Sequence, residues 1–75
     1  MVYINVTEKL TTVILDCYKD SKNGEHFELV IDKSTLELIK RPENSDIDVS
    51  VAYSCILKYL KNGKPLPEEE VAAWG

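Results

Sequence analysis

The sequence is poor in glycine and proline, with three of each in 75 residues, which excludes a collagen-like repeat and a Pro/Gly-rich disordered segment. Arginine is scarcer still. Arg41 is the only one among nine basic residues, which face thirteen acidic ones for a formal charge of −4. A nucleic-acid binder needs a basic stripe that displaces condensed counterions. The nearest approach, Lys58, Lys61 and Lys64, falls where a helix is expected to end, and cations there offset the helix dipole. No nucleic-acid partner is expected.

Only two cysteines are present, Cys17 and Cys55. They are too widely separated for a zinc knuckle, and no second pair of ligands completes a site. Each sits among apolar neighbours and reads as a free, buried thiol; spacing alone cannot establish the geometry of a disulfide. Long hydrophobic runs are also missing. The longest, Val13-Ile14-Leu15, falls far short of the roughly twenty residues of a membrane span. Residues 1–10 carry no basic segment followed by an apolar one, so a cytoplasmic protein is expected, although a secreted chain without its signal would read the same.

Glycines are isolated rather than clustered, so no phosphate-cradling loop is visible. Asp46-Ile47-Asp48 and Glu68-Glu69-Glu70 lack the spacing and the glycine of a calcium loop, and both fall where helix N-termini favour carboxylates. No metal or cofactor is expected.

What is present is an ordinary globular composition, 44% hydrophobic and 29% charged, sufficient for one domain over residues 1–75 with one small core. The clearest pattern is a β-hairpin. Phe27-Glu28-Leu29-Val30-Ile31 and Leu36-Glu37-Leu38-Ile39 flank Asp32-Lys33-Ser34-Thr35, and a four-residue loop would pair Ile31 with Leu36 and Leu29 with Leu38.

Residues 11–18 admit two periods. As a helix from Val6, the positions Val6, Leu10, Val13, Ile14 and Cys17 form an apolar stripe. As a strand, Val13, Leu15 and Cys17 alternate with more polar positions. Four β-branched residues in succession, Thr11-Thr12-Val13-Ile14, favour the strand. A three-residue loop, Lys22-Asn23-Gly24 with Gly24 left-handed, would set Cys17 opposite Leu29 and Leu15 opposite Ile31. Val13, Leu15, Cys17, Phe27, Leu29, Ile31, Leu36 and Leu38 then share one apolar face. Val2, Ile4 and Val6 can add a fourth, short strand.

After the polar stretch at residues 43–46, Asp46 or Asp48 can cap a helix whose Val49, Ala52, Tyr53, Ile56, Tyr59 and Leu60 fall on one face, with Asn62-Gly63 ending it. Pro67-Glu68-Glu69-Glu70 then reads as the start of a short helical turn docked by Trp74. The expected fold is therefore α+β: an antiparallel meander of three or four strands packed on one C-terminal amphipathic helix, with a short terminal helical turn. The alternative is helix-hairpin-helix.

On the outer sheet face this register places His26 between Asp20 and Arg41, and sets Asp16 and Glu37 on either side of Val30, ~10 Å apart. A lone surface histidine beside a carboxylate is commonplace. Carboxylate pairs also need a substrate cleft, of which the sequence gives no sign, so no catalytic residue is assigned. The same face holds Ile14, Tyr18, Val30 and Ile39, which a monomer either scatters or covers. Tyr3, Tyr53 and Trp74 are further aromatics able to anchor a partner. The expected function is that of a non-catalytic protein–protein interaction or accessory module, binding another protein or a second copy of itself through Ile14, Tyr18, Val30, Ile39 and Trp74, or along a strand edge. The alternative is a small ligand-sensing domain using the face around His26.

Overall fold

A computed structural model describes residues 1–43 and 46–73. Among these residues five strands and one helix follow the order β1 (Val2–Glu8), β2 (Thr12–Lys19), β3 (His26–Asp32), β4 (Leu38–Lys40), α1 (Ile47–Lys61) and β5 (Glu69–Ala72). All strand pairs are antiparallel, in the spatial order β4-β3-β2-β1-β5. The first four strands form a meander. α1 then crosses one face of the sheet and returns the chain to the far side of β1, where β5 pairs. The fold is α+β, and the helix-hairpin-helix alternative is not supported, because Thr12–Lys19 is a strand.

Period-two alternation explains the core. Val2 and Ile4 on β1, Val13, Leu15 and Cys17 on β2, and Phe27, Leu29 and Ile31 on β3 all point to the side that α1 covers with Val49, Ala52 and Ile56. β-branched residues at Thr12, Val13 and Ile14 suit this pleated surface. α1 begins at Asp46, whose carboxylate accepts from the Asp48 and Val49 amides, as an N-cap does. It ends with Gly63 at φ 63°, while the Lys64 amide donates to the Tyr59 carbonyl and the Gly63 amide to that of Leu60, the pattern of a Schellman cap.

Three expectations are corrected. Residues 67–70 do not start a helical turn: Glu69–Ala72 is a strand, with Ala72 buried and Val71 exposed. Nucleating a short isolated helix is costly, whereas the open edge of β1 supplies backbone partners for β5 at once, as in the Val6 amide to the Glu68 carbonyl, 2.9 Å.

The β2–β3 register differs from expectation by two residues, with Cys17 opposite Phe27 and Leu15 opposite Leu29. The turn is longer because Asp20, not Gly24, takes the positive φ. Gly24 is needed for another reason: a Cβ there would overlap the Lys19 carbonyl oxygen.

The β3–β4 register also shifts by two, to Ile31 opposite Leu38, with a bulge between Val30 and Ile31. Leu36 leaves the strand for the turn, at φ 64°. There the Asp32 carboxylate accepts from the Ser34 and Thr35 amides and the Ser34 hydroxyl, and the Tyr53 hydroxyl donates to the Leu36 carbonyl. Both shifts are even, so the residues of β2 and β3, and Leu38, keep their expected faces; beyond the bulge the parity changes, and Lys40 comes opposite Val30 on the outer face.

Candidate functional site

The face of the sheet opposite α1 has no second layer over it among the described residues. Its side chains lie in rows across the strands. One row runs Val71, Tyr3, Tyr18, His26, from β5 to β3. The next runs Glu69, Asn5, Asp16, Glu28, and the third runs Thr7, Ile14, Val30, Lys40. Directly opposed side chains on neighbouring strands touch, so Tyr3 is flanked by Val71 and Tyr18. The Tyr18 and His26 rings meet at a centroid distance of 5.0 Å, tilted by 45°.

Ile14, Tyr18 and Val30 fall on this face as expected and are half-buried; Ile14 opposes Val30 directly. Ile39 sits at the β4 bulge beside Val30 and is 55% exposed. Trp74 lies outside the described residues. Sequence reasoning missed Val71, because the segment carrying it reads locally as a helix start; its one signal is the Val71/Ala72 alternation. Tyr3 is brought in by the parity of β1, since Val2 and Ile4 face the core.

The charges on this face are largely paired. His26 Nε2 lies 2.9 Å from Asp16 Oδ1, and Lys40 bridges to Glu28. Of the expected neighbours of His26, Asp20 gives way to Tyr18 and the nearby Asp16 because of the longer β2–β3 turn, and Arg41 lies past the end of β4, whose last pair is Val30–Lys40. Asp16 and Glu37 do not flank Val30 either: Asp16 opposes Glu28, and Glu37 belongs to the turn, where its carbonyl accepts from the Asp32 amide. Glu69 has neither a hydrogen bond nor an ion pair from its side chain among the described residues. Its row and the aromatic row bound a cleft of about 230 Å³, lined by Tyr3, Ile4, Asn5, Tyr18, Lys22, Glu69, Glu70 and Val71; of its two glutamates, Glu70 is already engaged by the Tyr59 hydroxyl and the Val71 amide.

A wider groove of about 660 Å³ runs between α1 and the free edge of β5, past Val51, Cys55, Lys58, Tyr59 and Ala72. Here Glu70 spans the gap. One carboxylate oxygen accepts from the Tyr59 hydroxyl and the other from the Val71 amide at 3.0 Å, and the first contact pushes the Tyr59 phenol above its ordinary range. Burial, with Glu70 adding to it, raises the Cys55 thiol. Among the described residues no three His, Cys, Asp or Glu side chains come together to hold a metal ion. Among the described residues no helix is long and apolar enough to cross a membrane.

Compared with known protein families, with curated proteins and with solved structures, the chain matches none.

Proposed function

We propose that this chain is a non-catalytic interaction module that meets a protein partner, or a second copy of itself, through the outer face of its sheet. The observation that carries this reading is the Val71–Tyr3–Tyr18–His26 row, with Ile14 and Val30 paired two rows further along the same face, which α1 leaves uncovered. Tyrosines with an apolar body and a polar tip are favoured at interfaces, where they supply contact area at small entropic cost.

The face is a better candidate than either edge, because both edges are guarded. β4 has three residues, a bulge and Lys40. On β5 the Glu68 carbonyl faces β1, so by alternation the Val71 amide points outward, and Glu70 already satisfies it. Short, bulged, charged or self-satisfied edges discourage strand addition. A net charge of −4 favours a protein partner over nucleic acid. The unbridged Cys17 and Cys55 suit the reducing cytoplasm.

The test is sedimentation of the wild type up to millimolar concentration, together with capture of partners from cell extract, each compared with Val30→Glu. Association or capture that the variant abolishes, with an unchanged circular dichroism spectrum, supports the reading. A monomer throughout, with no Val30-dependent capture, removes it.

A further inference from the structure

We infer that the cleft beside Tyr3 and Tyr18 takes an arginine side chain of the partner, stacked on the tyrosine rings with its guanidinium against Glu69. This rests on the outer face being the interaction surface and names the chemistry it selects.

Charge complementarity carries the inference. Of the three carboxylates in the second row, Asp16 is held by His26 and Glu28 by Lys40, which leaves Glu69 as the unneutralised anion. Glu69 stands one row from the Tyr3–Tyr18 pair and lines the same cleft. An aromatic wall beside a free carboxylate is the environment in which a cation gains twice, from the ring quadrupole and from the ion pair. Arginine fits better than lysine, because its planar, weakly hydrated guanidinium stacks on a ring while its fork engages a carboxylate. A cleft of about 230 Å³ is the size for a side chain rather than a drug-sized molecule, since pockets for the latter run to about 300–1,000 Å³.

Lys22 gives the inference a sign. It lines the same cleft and makes no ion pair among the described residues. Its ammonium opposes an entering cation and would attract an entering anion. Removing it therefore separates the two kinds of ligand.

The experiment is an NMR titration of the full chain with N-acetyl-arginine amide, and with the citrulline counterpart that has the same shape without the charge. Saturable shifts are expected at Tyr3, Tyr18, Glu69 and Val71 with the arginine probe and not with citrulline. Glu69→Gln should weaken binding about two- to fivefold, the size of an exposed ion pair, and added salt should do the same. Lys22→Ala should tighten it. Equal behaviour of the two probes, no shifts in the cleft, or weaker binding by Lys22→Ala overturns the inference. Val30-dependent association without arginine binding would overturn the inference and leave the interaction reading standing; arginine binding by a chain that associates with nothing would do the reverse.

Discussion

Lys19, at the end of β2, donates through Nζ to Asp46 Oδ2 at 2.7 Å, and Asp46 is the N-cap of α1. The same ammonium lies 3.6 Å from Glu25 and 3.9 Å from Asp48. One cation on the sheet thus gathers the acidic start of the helix, while Asp46 Oδ1 stays with the Asp48 and Val49 amides. The hydrogen bond from Lys19 is the leading cause holding the Asp46 carboxyl below its ordinary range, and the same bond raises Lys19.

These directions fix the pH dependence. A carboxyl depressed in the folded state stabilises the fold fully above its unfolded value, about 4, and that contribution is lost as pH falls through the folded value. A lysine raised in the folded state contributes fully below its unfolded value, about 10.4, and loses that contribution as pH rises through the folded one. Thermal melts in low salt should show a plateau between two falling limbs. Asp46→Asn keeps a capping oxygen but should shrink the acid limb, and Lys19→Met should shrink both. Asp46→Ala loses cap and ion pair together and should melt lowest, by several degrees. Superimposable acid limbs for Asp46→Asn and the wild type would show that the ion pair contributes nothing. Asp32, whose carboxyl is also held low, chiefly by the Ser34 hydroxyl, leaves part of the acid limb in every variant.

Two glycines should fail differently when replaced by alanine. At Gly24 a Cβ would overlap the Lys19 carbonyl oxygen, so Gly24→Ala must open the β2–β3 turn and should cost about 2–3 kcal/mol, the upper part of the usual range for point mutations. At Gly63 the φ is +63° and no atom lies within 4 Å of the added Cβ. Gly63→Ala should therefore cost only the left-handed strain, about 1 kcal/mol, and Gly63→Asn less. Urea denaturation midpoints check the order, and a Gly63→Ala chain less stable than Gly24→Ala would refute it.

The turns and the tail were the parts hardest to read from sequence. The faces of β2 and β3 follow from alternation at Val13, Leu15 and Cys17 and at Phe27, Leu29 and Ile31, because any register of the right parity buries the same residues. The registers themselves depend on which residue takes a left-handed φ, and here Asp20 and Leu36 do so. Leu36 carries no local signal for that conformation; the Asp32 carboxylate and the Tyr53 hydroxyl, the latter from the distant helix, surround its turn. β5 is likewise a non-local result. Glu68-Glu69-Glu70 after Pro67 satisfies the rules for a helix start, and only the presence of an unpaired β1 edge makes it a strand. On the outer face, Ile14, Tyr18 and Val30 were therefore legible, whereas the Glu69–Tyr3 neighbourhood and the His26–Asp16 contact were not.

The thiols should separate cleanly. Cys17 is fully buried on the core face, and burial, aided by the Asp16 charge, pushes its pKa up to about 12. Alkylation requires the thiolate and access to it, so Cys17 should react only through unfolding of the sheet. Cys55 is half-buried in the groove beside β5, and its thiol is raised as well. Iodoacetamide at pH 8 should modify Cys55 more slowly than a free thiol, and Cys17 only when denaturant is added. Mass spectrometry of the time course would settle the order, and early modification of Cys17 would place it nearer the surface than the fold allows.

Leu29 and Val30 are adjacent in β3 and face opposite ways, which makes them the sharpest comparison of stability with association. Leu29 is fully buried against α1, so Leu29→Ala should cost about 2–5 kcal/mol. That is a large share of the roughly 4–11 kcal/mol expected for a domain of this length. Val30 opposes Ile14 on the outer face and is half-buried, so Val30→Ala should cost about 1 kcal/mol or less. If the outer face is where a partner sits, the order reverses in a binding measurement. Val30→Ala should weaken association at concentrations where the chain is fully folded, whereas Leu29→Ala should act only through the folded fraction and recover its binding when that fraction is restored by a stabilising osmolyte. Denaturation and sedimentation on the same two variants give both readings, and a Val30→Ala chain that loses stability as heavily as Leu29→Ala would mean that something covers the outer face within the chain itself.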